Sequence, residues 1–221
     1  RCKHSGEAAG HGGIQIPILL FFFITFRMSV KTLHDLPNEL YFCTFTCTNW
    51  LSLFEITQSY DEVYKWFVIA HRKSFRTCAF VIMPNHLHFI MATPFRNANL
   101  NTLVSNGKRF MAYEIVERLK NSKHDHLLKQ LENEVTRSDK KRGKLHQVFK
   151  PSFDARLILD EKMLFQKMDY IHHNPVRGKW NLVNDFVLYP HSSAAFYELG
   201  TACQFPITHY AQILYGDEKT T

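Results

Sequence analysis

Four side chains in this sequence stand at spacings that would bring them to bear on one substrate atom. His86 and His88 flank Leu87 in the stretch TCAFVIMPNHLHFIMAT (residues 77–93), and Tyr170 and Asn174 stand four apart in YIHHN. Side chains alternate faces along a strand, so on a strand both imidazoles share a face while Leu87 enters the opposite, apolar layer. Two imidazoles so placed make a pair of metal ligands. The same spacing also suits two histidines on the solvated face of an edge strand, and this stretch alone does not choose. On a helix, positions i and i+4 share a face, so Tyr170 and Asn174 project together. With that helix over the histidine face, Asn174 offers a hard amide oxygen as third ligand, leaving positions for water and a phosphate oxygen. A tyrosine one turn away suits attack on a phosphodiester. Its phenol, with a pKa of about 10, needs help to lose its proton. Taken alone, Tyr170 would read as a core tyrosine with a tethered hydroxyl. His172 and His173 are alternative ligands, but their offsets turn them off the shared face.

The elements that must carry these residues follow from patterning. YFCTFTCT (41–48) is rich in aromatic and β-branched residues and Asn49 marks its end, which predicts a strand. Residues 59–74 predict a helix with Val63, Trp66, Phe67 and Ala70 on one face. Residues 76–83 and 86–92 predict two strands joined at the short Pro84-Asn85 corner as a hairpin. A second helix is expected over 100–119, burying Leu103, Val104, Phe110, Met111, Ile115, Val116 and Leu119 and exposing Lys108 and Arg109. The charged stretch 121–146 predicts a helical continuation and a solvated loop. FDARLIL (153–159) predicts a fourth strand. Residues 161–174 predict a helix burying Leu164, Phe165, Met168 and Ile171 and ended by Pro175, which disfavours helical geometry in the residue before it. YPHSSAAFYELG is expected to add a last short helix. The order is that of an α+β, ferredoxin-like (split β-α-β) sandwich. It has a four-stranded antiparallel sheet, helices on one face, and an additional tyrosine-bearing helix for the other.

Bulk properties bound the function. At 221 residues with 45% hydrophobic and 21% charged residues, the chain suits one globular domain with additions. A formal charge of +7 favours an anionic partner, and nucleic acid is the commonest; Lys108, Arg109 and the 140–144 cluster are candidate contacts. Five scattered cysteines without a C-x-x-C pair predict core thiols and a reducing cytoplasm. Residues 1–27 break in composition from the rest, and their apolar run is too short to span a bilayer. They read as an over-extended segment before Met28, so no stable membrane association is expected. The domain proper is expected over 28–200, with 201–221 as a tail.

PNHLHFI resembles the HUH motif (histidine, hydrophobic, histidine) of single-tyrosine transposases, and YIHHNPVRG resembles the tyrosine motif of their REP-associated branch. YFCTFTCTNW, GKRFMAYEI, FKPSFDARLI and PHSSAAFY match in order, so the resemblance runs from about residue 40 to about residue 199. It implies transposition of single-stranded DNA, in which the tyrosine attacks the scissile phosphate to give a 5′-phosphotyrosine and a free 3′-hydroxyl. It also implies Mg²⁺ or Mn²⁺ held by the two histidines and the polar residue four beyond the tyrosine. Carried over, the nucleophile is Tyr170, the ligands are His86, His88 and Asn174, and the substrate is a palindromic DNA hairpin. Monomer and homodimer both remain open. Departures are Val148-Phe149 where many members have tryptophan before Phe-Asp, Gly178-Lys179-Trp180 for the usual Ala-Gly-Leu, and the long charged 121–146 insertion. Asp154 matches a family position and reads as structural support. Three readings compete: a domesticated binder of the same fold, an RNA-binding sheet, which would need aromatics where the histidines stand, and a metallohydrolase without a covalent step.

Overall fold

The computed structural model describes residues 33–216, which belong to one compact unit. The expectations for residues 1–27 therefore lie outside the described residues. Strand β1 (Leu40–Thr46) leads through a short helix α1 (Leu53–Ile56) into α2 (Tyr60–Arg72). β2 (Arg76–Met83) and β3 (His86–Ala92) form the hairpin at the bounds expected from their patterning. Helix α3 (Leu100–Asn121) follows, then α4 (Asp125–Asn133) and α5 (Arg137–Lys141) in the charged stretch. β4 (Asp154–Leu157), α6 (Glu161–His173), α7 (Ala194–Leu199) and α8 (Tyr210–Tyr215) complete the chain. The sheet is antiparallel with order β2-β3-β1-β4, so β3 is interior and its histidines do not lie on an edge.

Alternation along the strands divides two apolar layers. Leu87, Phe89 and Met91 of β3 join Cys43 and Phe45 of β1 against Val63, Trp66 and Phe67 of α2 and Val104, Met111 and Ile115 of α3. Ile90 of β3, with Phe42 and Val81, packs on Leu164, Met168 and Ile171 of α6. Complete burial of such side chains stabilises by roughly 1.5–3 kcal/mol each, which holds α2 and α3 on one face and α6 on the other. Asn99 and Asp160 cap α3 and α6 by accepting from the backbone N–H groups of Thr102 and Met163, at 2.8 and 2.6 Å.

Two buried-face expectations fail. Phe110 is 58% and Phe165 44% exposed, because each lies at the margin of its helix's apolar stripe. The open edge of β2 is covered by the return of the chain after α6. Ile82 N–H donates to the His191 carbonyl (2.8 Å), and Phe80 N–H to Ser193 Oγ (2.9 Å). Beyond residue 200, Phe205 is buried and stacks on Phe67 with centroids 4.8 Å apart. Among the described residues, no helix is long and apolar enough to cross a membrane.

Candidate active site

The β-sheet register fixes which side chains share the α6 face. His88 stands opposite Thr44, His86 opposite Thr46, and Asp154 beside Thr44 on the far side. Burial leaves His86 and His88 only 5% and 6% exposed. Their ring centroids are 4.7 Å apart. α6 brings Tyr170 above them: its hydroxyl lies 3.4 Å from His88 Nε2, and the two rings meet edge to face at 5.0 Å. Phe42 supports both, stacked on His88 at 5.7 Å and edge-on to Tyr170 at 6.0 Å.

Asn174 reaches the same place by a route the proline rule did not anticipate. It keeps helical dihedrals (φ −54°, ψ −40°) ahead of Pro175, and the chain runs on as a 3₁₀ turn over Asn174–Val176. The helical phase from Tyr170 is therefore preserved, and the Asn174 amide sits next to His86. Its Oδ1 is buried with no hydrogen-bond partner among the described residues. An unsatisfied buried carbonyl oxygen costs roughly 1–3 kcal/mol and is the kind of orphan a cation would satisfy.

The outer nitrogens of both imidazoles are committed. Asn85 Nδ2 donates to the Trp50 carbonyl at 2.9 Å, which turns Asn85 Oδ1 toward His86 Nδ1 at 2.6 Å. That oxygen can only accept, so Nδ1 carries the proton and Nε2 keeps its lone pair. His88 Nδ1 meets Thr44 Oγ1, a hydroxyl able to donate or accept, at 2.6 Å, and its Nε2 faces Tyr170. Burial pulls His86 down to about 4, with Lys179 adding to the shift and the Asn174 amide opposing it. Burial, then His86 and Lys167, bring His88 to about 3. Both rings are neutral at pH 7, the state in which an imidazole binds a cation. Among the described residues, no three His, Cys, Asp or Glu side chains cluster for a metal; the third polar group beside the two imidazoles is the Asn174 amide.

The four proposed site residues thus come together, while His172 and His173 do not join them. His172 is buried with Nε2 2.9 Å from Ser193 Oγ, and His173 pairs with Asp169 at 2.9 Å. The Lys108 assignment needs correction. Its ammonium is not on an exposed face: Nζ donates to the carbonyls of Lys150, Pro151 and Ser152 at 2.7, 3.3 and 3.1 Å. Burial lowers it to about 8. Lys108 ties α3 to the segment entering β4, and Arg109 alone of the pair is exposed. In the 140–144 cluster, Arg142 pairs with Asp139, and Lys144 lies 3.6 Å from the same carboxylate. Asp154 is exposed and pairs with Arg156 at 3.5 Å. Sequence reasoning missed Thr44, Asn85, Trp50 and Trp180. Asn85 reads as a hairpin corner and Trp50 only as the end of a matching stretch, and the sheet register and hairpin geometry are what bring them to the histidines.

No family model and no curated protein matches this chain. Similar solved structures include two transposases. One is a REP-associated tyrosine transposase bound to a REP hairpin, 20% identical over 75% of this chain and 82% of that one, with a TM-score of 0.49. The other is a candidate transposase from Deinococcus radiodurans R1, 15% identical over 64% of this chain and 92% of that one, with a TM-score of 0.37.

Proposed function

We propose that this chain is a metal-dependent tyrosine transposase that cleaves and rejoins single-stranded DNA. The observation that carries this reading is the meeting of a tyrosine hydroxyl, two buried imidazoles and a buried amide oxygen without a hydrogen-bond partner among the described residues, all on one face of the sheet. His86 Nε2, His88 Nε2 and Asn174 Oδ1 are the donors that would hold Mg²⁺ or Mn²⁺. The cation, when bound, would polarise a phosphate oxygen and offset the charge that builds there in the transition state.

The remaining chemistry belongs to Tyr170. Its Oη bonds to phosphorus while the P–O3′ bond breaks; the phenolic proton leaves to solvent and the departing O3′ takes one up. The products are a 5′-phosphotyrosine and a strand ending in a 3′-hydroxyl, and attack by another 3′-hydroxyl reverses the exchange and joins strands. The His88 Nε2 lone pair cannot serve a cation and the phenol at once. With Nε2 given to a cation, Tyr170 would be free of that 3.4 Å contact and available to substrate. Palindromic hairpins are the proposed substrates, on the motif resemblance.

End-labelled single-stranded hairpins incubated with the full chain and Mn²⁺ test the reading. Cleavage should leave one fragment with a free 3′-hydroxyl and the other with its 5′ end blocked by protein, and EDTA should stop it. Two fragments with no protein attached would make the chain a metallohydrolase instead.

A further inference from the structure

Two tryptophans stand beside the His86 imidazole, and each has a lysine ammonium against its ring. The Trp50 centroid lies 6.0 Å from that of His86 and the Trp180 centroid 6.2 Å. Lys150 Nζ is 4.4 Å from the Trp50 centroid, and Lys179 Nζ is 5.1 Å from that of Trp180. Burial does not explain Trp50, which is 54% exposed, whereas Trp66 is packed into the core. Its backbone is costly too: Asn49 and Trp50 both have positive φ, 51° and 57°, a region that a bulky residue enters only against strain. The carbonyl of this strained turn holds Asn85, which in turn holds His86. The presentation of Trp50 is thereby tied to the orientation of the imidazole. Trp180 falls in the Gly178-Lys179-Trp180 stretch, where the chain departs from the motif it resembles.

We propose that Trp50 and Trp180 are stacking platforms for the bases next to the reacting phosphate, with Lys150 and Lys179 neutralising the adjoining phosphates. The proposal rests on the nucleic-acid reading above and names how the strand is held. Every base has a π face, so such stacking tolerates sequence. It requires bases free to splay from a partner strand, so it selects single strands at the point of reaction.

The test measures affinity of the full chain for a short oligo-dT strand and for an abasic strand of equal length and charge, without divalent metal so that neither is cut. Wild type should bind oligo-dT on the order of tenfold or more tightly, as stacking on aromatic platforms does elsewhere. Trp50→Ala with Trp180→Ala should bring oligo-dT down to the abasic level and leave the abasic strand unaffected. Trp50→Phe with Trp180→Phe keeps a π face and should retain most of the preference. Trp50→Ala alone, at an exposed position, must already lower it. Equal affinity of wild type for the two strands, or equal loss of both strands in the alanine variants, overturns the proposal. Mn²⁺ uptake and the covalent adduct are read separately, so failure of the Tyr170 chemistry is distinguishable from failure of the stacking.

Discussion

At the scale of single residues, the site depends on how each imidazole is held as much as on its presence. Asn85 is the clearest case: its amide, oriented by the Trp50 carbonyl, leaves His86 Nε2 unprotonated. Asn85→Ala removes that restraint, and outer partners of this kind typically contribute 10–100-fold to metal affinity. Mn²⁺ titration of the variant should show a loss in that range with folding intact. A second prediction concerns pH. Burial pulls His86 and His172 to about 4 and His88 to about 3, below the ordinary value of about 6.5. The unfolded chain takes up protons on these groups below about pH 6.5, while the folded chain does so only near 4. Their contribution to stability is therefore complete above that upper limit and is lost as pH falls through the window. At pH 5, each histidine should cost up to about 2 kcal/mol. Thermal unfolding of the metal-free protein should show a steep drop in Tm from pH 7 to 5, and a flat profile would mean the imidazoles are not buried and neutral.

At the scale of elements, the sequence was most legible where periodicity was strict. β2 and β3 have the expected bounds because both are almost wholly buried between apolar layers, and Tyr170 and Asn174 share a face because α6 keeps its phase. Phe110 and Lys108 of α3 were misread together, since the helix is flanked by α2 on one side and the 142–151 segment on the other. No local pattern says which lysine meets backbone carbonyls. Gly107 shows the same limit: a Cβ there would stand 2.4 Å from Trp66 Nε1, so α2 and α3 approach through this glycine. Gly107→Ala gains about 1 kcal/mol of helix propensity, but overpacking costs roughly 1–3 kcal/mol. It also threatens the 3.3 Å bond from Trp66 Nε1 to the Leu103 carbonyl. Denaturant unfolding should show a net loss of about 1–2 kcal/mol; a gain would mean the two helices can part without cost.

For the molecule as a whole, the charge of +7 suits a polyanionic strand, but the basic residues are not equivalent. Lys108 is committed to three carbonyls while Arg109 is exposed. Lys108→Met should cost about 1.5–3 kcal/mol of stability, the range for charged hydrogen bonds, and leave the salt dependence of DNA binding unchanged. Arg109→Ala should do the reverse, leaving Tm unchanged and reducing the log–log salt slope by about one. Plots of affinity against salt for both variants separate the roles. Identical slopes for wild type and Arg109→Ala would remove α3 from the DNA interface.

In the proposed reaction Tyr170 is the nucleophile of a site assembled from a strand face and a helix face. Two other tyrosines that could be weighed as nucleophiles are placed elsewhere: the Tyr189 hydroxyl donates to the Ile82 carbonyl at 2.9 Å, and Tyr113 is exposed on α3, across the sheet. The most direct measurement is mass-spectrometric mapping of the denaturation-resistant adduct formed with Mn²⁺ and a single-stranded hairpin, in wild type and Tyr170→Phe. The adduct should lie on Tyr170 alone and vanish in Tyr170→Phe while DNA affinity is kept. An adduct that survives Tyr170→Phe, or one that maps to another residue in wild type, would contradict the account.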